Sequence, residues 1–118
     1  MHIEFFMDNT PYAEAIKYAA YLAGLGTYGI NQLLITPQFG SRVRMTAILT
    51  DAPLESGKPA GQQQFVRPEC AECQRCVKIC PAGALSADGS IDTRACRDYI
   101  FTTLGGLRCG LCIRVCPL

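Results

Sequence analysis

Apolar and polar positions along the first half of the chain follow two different periods. From Thr10 to Leu25, apolar residues recur at Tyr12, Ile16, Ala19, Ala20 and Ala23, the spacing of one face of a helix. Thr10 suits its N-cap and Pro11 its first position, and the alanines imply close backbone packing. Gly24, Gly26 and Gly29 end the helix, because glycine adopts backbone conformations closed to other residues. A short apolar run, Gln32 to Thr36, is closed by Pro37 and reads as a strand; Gln38 to Ser41 turns; Val43 to Thr50 reads as a second strand. Asp51 to Leu54 ends that strand, and Glu55 to Gln64 reads as a connecting loop. The composition changes there, which places a boundary near Gln63 between a segment 1–63 and a module 64–118. Within the module, Ala87 to Ser90 is a turn. Asp92 or Thr93 caps a helix from Arg94 to Leu104, stopped by Gly105 and Gly106.

The cysteines change this picture more than any other residue type. Eight fall in the last half of the chain, as Cys70-x-x-Cys73-x-x-Cys76-x-x-x-Cys80-Pro81, then Cys96, then Cys109-x-x-Cys112-x-x-x-Cys116-Pro117. Thiolates three residues apart wrap the corners of a cubane iron–sulfur cluster, and the cysteine before proline turns away to ligate a second one. By that crossing-over rule Cys70, Cys73 and Cys76 take Cys116 as fourth ligand. Cys109 and Cys112 take Cys80, and the open corner falls to Cys96, displaced onto the upstream helix. Val77, Ile79, Leu85, Ile91, Ile100, Leu107, Leu111 and Val115 are the apolar residues expected to cover the clusters. A disulfide framework is the weaker alternative, since the N-terminus shows no basic segment followed by an apolar run, and a cytoplasmic location follows from the same reading. A four-thiolate zinc site suits two Cys-x-x-Cys pairs, but leaves Cys76 and both Cys-Pro endings without a role.

Charge and hydropathy narrow the partners. The net charge is +1, and two oxidised cubanes at about −2 each bring the loaded chain to roughly −3. From Val66 onward, Arg67, Arg75, Lys78, Arg94, Arg97, Arg108 and Arg114 outnumber Glu69, Glu72, Asp88, Asp92 and Asp98. Such cations stabilise an added electron, and they distinguish the module from diffusing bacterial ferredoxins, which are acidic on the surface presented to partners. No basic stripe with interleaved aromatics supports nucleic-acid binding, and no apolar stretch is long enough for a bilayer span. His2, a lone histidine at the terminus, reads as solvated.

Beyond the cysteines, the order Gly24-Leu25-Gly26-Thr27-Tyr28-Gly29-Ile30-Asn31, Leu34-Ile35-Thr36-Pro37-Gln38-Phe39-Gly40, Arg42-Val43-Arg44 and Leu49-Thr50-Asp51-Ala52-Pro53-Leu54-Glu55 resembles the C-terminal part of cobalamin-dependent reductive dehalogenases and the related epoxyqueuosine reductases. Tyr28-Gly29-Ile30-Asn31 and Leu34-Ile35-Thr36-Pro37 look like the dehalogenase branch, as does a Cys116-Pro117-Leu118 ending where the other branch more often has tryptophan. The resemblance implies an α+β chain, with a partial nitroreductase-like α/β segment followed by a bacterial ferredoxin-like module holding two [4Fe-4S] clusters. It implies that Gly26, Tyr28, Gly29, Asn31, Leu34, Ile35, Thr36 and Gly40 contact a corrinoid, and that Arg44 assists a tyrosine proton donor. That tyrosine and most of the corrinoid domain lie upstream of the matching region in the family. A corrinoid is thus expected only with a partner or an oligomer.

The expectation is an electron-delivery module serving a redox partner or corrinoid-bearing subunit, in an oligomer or heteromeric complex. An apolar face on Leu33, Ile35, Met45 and Ile48 would then await its cover. The alternatives are a stand-alone ferredoxin and a binding module that the clusters merely hold together.

Overall fold

The computed structural model describes residues 10–57 and 65–118; His2 and the boundary expected near Gln63 lie outside them. Helix α1 spans Thr10–Leu22. Its stop is a hydrogen-bonded device: Gly24 takes φ 79°, its N–H bonds the Tyr21 carbonyl, and the Leu25 N–H reaches back to the Ala20 carbonyl at 3.0 Å. A glycine with no Cβ penalty in the left-handed region thereby satisfies two helix carbonyls that would otherwise lack partners. The face that packs is narrower than the alanine pattern suggested. Ala20 is buried, whereas Ala19 and Ala23 are exposed. Lys17 turns the helix flank toward the next loop by donating to the Gln32 carbonyl at 2.7 Å while pairing with Glu14.

The glycine-rich loop becomes a hairpin. Strands β1 (Thr27–Tyr28) and β2 (Leu34–Ile35) pair antiparallel, with Thr27 opposite Ile35 and Tyr28 opposite Leu34. The intervening turn is closed by the Gly29 N–H on the Leu33 carbonyl, and the Asn31 carboxamide oxygen accepts from the Leu33 N–H. Downstream, Thr36 and Gly40 exchange both backbone hydrogen bonds at 2.9 Å, closing the expected turn over 38–41.

The strand expected over Val43 to Thr50 does not form. This segment takes no regular structure, and among the described residues no strand lies beside it. A strand requires a neighbour for its N–H and C=O groups; propensity without a partner leaves them to water. Ile48 and Leu49 are 85% and 98% exposed, while Met45 packs beside Ala20, Tyr28 and Leu34. Of the residues expected on an open apolar face, Ile48 is therefore on it, Leu33 and Met45 are half-buried, and Ile35 is the most buried large side chain, at 1% exposure. Pairing across the hairpin and packing beneath the cysteine module cover it.

The hairpin's outer partner comes from the far side of the connecting loop. The Tyr28 N–H bonds the Phe65 carbonyl and the Arg67 N–H bonds the Tyr28 carbonyl, both at 2.9 Å, so residues 65–67 run parallel to β1. The Tyr28 ring stacks on Phe65 with centroids 4.6 Å apart, and Tyr18 and Tyr21 complete an aromatic group under α1.

Helices α2 (Glu69–Cys73), α3 (Arg75–Ile79), α4 (Thr93–Asp98) and α5 (Leu111–Arg114) are all short. Asp92 caps α4 by accepting from the Ala95 N–H at 2.9 Å, as expected. Beyond Asp98 the helix widens into a π-helical turn over Tyr99–Thr103 before Gly105 and Gly106, both at positive φ, end it. The turn over 87–90 is present, closed between Ser86 and Ser90. No described helix is long and apolar enough to cross a membrane.

Candidate functional site

Each cysteine run is bent by a residue two places before a helical cysteine. Gln74 precedes α3 at φ 46°, and Gly110 precedes α5 at φ 64°. Both sit two residues before a cysteine, Cys76 and Cys112, in equivalent places of the two motifs. Reversing the backbone there starts a new helix, α3 or α5, that carries the cysteine. Gln74 bears the cost of a non-glycine residue in this region and donates its side-chain amide to the Ala71 carbonyl at 2.8 Å. The backbone N–H of Val77 favours the Cys76 thiolate and that of Ile113 the Cys112 thiolate, both against the larger effect of burial and in equivalent places.

Two groups of thiols result. Cys70, Cys73, Cys76 and Cys116 line one hollow, together with Ile30, Ile35 and Leu118. Cys70 is buried among Ile30 and Ile35, with Val77 and Cys116 packed on them. Burial pushes the Cys76 thiol up, and negative charge on Cys70 and Cys116 would push it further. The second group is Cys80, Cys96, Cys109 and Cys112. Burial raises the Cys96 thiol, with Cys80 and Cys109 as the next contributors. Burial also raises Cys112, with Cys96 and Cys109 adding to it. Cys76 thus has Cys70 and Cys116 as its charged neighbours, and Cys96 has Cys80 and Cys109.

This donor set fits a cluster. Sulfurs that crowd and desolvate one another hold protons in the free chain, and multiply charged iron bound to them offsets both penalties. Among the described residues no three His, Cys, Asp or Glu side chains converge on a single-ion position. A lone zinc would draw its sulfurs onto bonds of about 2.3 Å, whereas a cubane carries one thiolate on each of four separate irons. The Ala84 N–H bonds the Cys80 sulfur at 3.4 Å, the kind of contact that tunes a cluster's potential.

The residues linked by resemblance to a corrinoid are placed as follows. Tyr28, Asn31, Leu34, Ile35 and Thr36 are buried, and Gly26 and Gly29 lie against the hairpin. A Cβ at Gly26 would strike the Ile35 carbonyl, and one at Gly29 would lie 2.6 Å from Asn31 Oδ1. Gly40, at φ 58°, has the Leu118 carbonyl where a Cβ would sit. Arg44 is exposed on the segment that forms no strand. Gly26 and Ile35 also border a separate open hollow of about 250 Å³, lined with Gly24, Thr27, Pro37, Arg67, Pro68 and Glu69. The last three were not legible as site residues, because only the pairing of Tyr28 with residues 65–67 brings them there.

Asn31 joins the parts. It lines the first thiol hollow, and its carboxamide nitrogen donates to the carbonyl of Cys112, a member of the second group. At the other end, the Ser41 hydroxyl donates to the Ile113 carbonyl and the Ser41 N–H to the Leu118 carbonyl, holding the C-terminus on the turn over 36–40.

Comparison with known proteins agrees with this architecture. Residues 69–118 match the 4Fe-4S dicluster domain. The chain therefore combines a mixed helical and small-sheet fold with a ferredoxin-like 4Fe-4S dicluster module. It is similar to epoxyqueuosine reductases over most of its length: 33% identical to that of Bacillus cereus across 80% of this chain and 27% of the relative. For Listeria monocytogenes the figures are 38%, 69% and 20%, and for Vibrio cholerae 31%, 86% and 26%. The chain spans about a quarter of the length of these curated relatives. Their name belongs to the other branch of the superfamily from the one suggested by Tyr28-Gly29-Ile30-Asn31. No solved structure matches the chain.

Proposed function

We propose that the chain is the electron-delivery module of a corrinoid-dependent reductase. Cys70, Cys73, Cys76 and Cys116 would hold one [4Fe-4S] cluster, and Cys80, Cys96, Cys109 and Cys112 the other. Bound there, the clusters would supply single-electron storage without proton transfer. The chain's residues set the conditions. Ile30, Ile35 and Leu118 exclude water from the first group, the backbone N–H groups of Val77, Ala84 and Ile113 offset thiolate charge, and Arg75 borders the hollow as a cation.

The observation that supports this reading is the position of Ile35. One side of this residue lines the thiol hollow and another borders the open 250 Å³ hollow beside Gly24, Gly26 and Thr27. A flat ligand seated in the open hollow would be separated from the first cysteine group by little more than one side chain. The remainder of the corrinoid pocket, including a tyrosine proton donor near Arg44 and the rest of a nitroreductase-like sheet, would be supplied from outside this sequence. The similarity to epoxyqueuosine reductases favours an acceptor of that kind. The loop Tyr28-Gly29-Ile30-Asn31 and the Cys-Pro-Leu ending favour a halogenated one.

Anaerobic iron and sulfide quantitation, with an optical spectrum of protein made in cobalamin-supplemented cells, tests the reading. About eight irons per chain are expected. A corrinoid band in the purified protein, or after mixing with a corrinoid-bearing reductase from the same cell, supports the delivery role. Eight irons with no corrinoid under either condition would leave a stand-alone ferredoxin.

A further inference from the structure

The first thiol hollow is lined by the hairpin and the C-terminus. Cys96 of the second group lies on α4, which continues into the π-helical turn and the loop leading to Cys109. Arg94, Arg97 and Phe101 recur at helical spacing on this element and are exposed, on either side of Cys96. Leu107 and Arg108, also exposed, immediately precede Cys109, and the Phe101 ring lies 3.9 Å from where a Cβ on Gly106 would be, so this loop lies against the phenylalanine. Asp98 alone opposes the three arginines within the stripe, and its contact with Arg94 is loose at 3.9 Å between two exposed side chains. The patch is an apolar pair, Phe101 and Leu107, edged by excess positive charge.

We propose that this surface docks an acidic one-electron carrier protein, which feeds the module at its second cysteine group. The inference rests on the reading of the chain as a two-cluster electron-transfer module. An apolar centre with a charged rim is the anatomy of a protein interface, and surplus arginine selects and steers an acidic partner. A nucleic acid would call for a basic run tracking a phosphate backbone and more than one exposed aromatic. In the transfer, the reduced carrier loses one electron, the module gains that electron, and no proton or bond changes hands. Two of the four cysteines in the second group sit next to docking residues in sequence, Cys96 one residue before Arg97 and Cys109 directly after Arg108, so a docked carrier is brought close to it.

The test titrates cluster-loaded protein with an oxidised, acidic bacterial-type ferredoxin by calorimetry, at rising salt, with iron content as the check on folding. Affinity should fall at least about tenfold between low and physiological ionic strength. It should fall by a similar factor in the triple variant R94E/R97E/R108E, and less, but measurably, in Phe101→Ser. Equal affinity in wild type and the triple variant overturns the proposal. So does binding of a duplex RNA, lost in the variant, where ferredoxin does not bind. Reduction of the wild type by methyl viologen radical stands apart: clusters that accept no electron from it count against the electron-transfer reading, while the calorimetry still decides the docking surface.

Discussion

The two cysteine motifs share a local design and differ in their surroundings. Both carry a left-handed residue two places before a helical cysteine, a backbone N–H from the next residue that favours that cysteine's thiolate, and a Cys-Pro ending. Yet the Cys70–Cys76 run has three regularly spaced thiols and a wall made by distant chain, whereas Cys109 and Cys112 have Cys96 of α4 as a neighbour. The comparison separates what a spacing can specify, the loop around a cluster, from what it cannot, the burial of that cluster. For the first group, burial is supplied here by Ile30, Ile35 and Leu118, residues from the hairpin and the C-terminus.

Removing one ligand from each group breaks the comparison most severely. Cys76→Ala should lower iron from about eight to about four per chain, and Cys96→Ala should do the same. The four that survive should differ, which electron paramagnetic resonance of the reduced proteins would register as two distinct signals. Identical surviving signals would show that the two sets of four are wrongly divided.

Gly40→Ala comes next. The new Cβ would combine a positive φ with a collision against the Leu118 carbonyl, a cost of at least about 2 kcal/mol. Because Leu118 walls only the first group, thermal unfolding should shift down together with iron lability at that site. Unchanged stability would mean that the C-terminus is not seated on the 36–40 turn.

Asn31→Ala sharpens the coupling between the groups. The residue is 4% exposed and bonds the Leu33 N–H and the Cys112 carbonyl, so its loss should cost about 1–3 kcal/mol in denaturant unfolding. Both reduction potentials should move, since Asn31 touches one group's hollow and the other's backbone. Movement of only one potential would assign it to a single site.

The smallest effect tests the shared bend. Gly110→Ala places a Cβ in open space at φ 64° and should cost about 1 kcal/mol from the backbone conformation alone. Gln74→Gly should be close to neutral, because relief of the same conformation is offset by loss of the bond to Ala71. Chemical denaturation of the two variants gives the comparison directly; an equal cost in both would reject the equivalence of the bends.

Helix α1, its glycine stop, the 87–90 turn and the Asp92 cap were legible because each depends on residues within a turn or two of one another. The strand over Val43 to Thr50 was misread for the opposite reason: its branched residues state a preference, but pairing depends on a neighbour that local sequence does not name. Ile35 was misplaced likewise. As part of an apolar run it could face solvent, a partner or the core, and it is buried by the hairpin together with Cys70 and its neighbours, which arrive from 30 or more residues downstream. The π-helical turn after Asp98 has no local signal that we can identify.

The sequence by itself determined the chemistry: eight thiols, their spacing in two runs that each end in Cys-Pro, and the glycines and prolines that let short loops bend. Those are short-range consequences of ligand geometry and backbone freedom. Only the tertiary structure decided which residues line the first thiol hollow, that Ile35 borders both the thiols and an open hollow, and that Asn31 reaches from that hollow to the Cys112 carbonyl. Each of those depends on contacts between segments far apart in the chain, where packing and hydrogen-bond satisfaction over the whole fold select among faces that local pattern leaves equivalent.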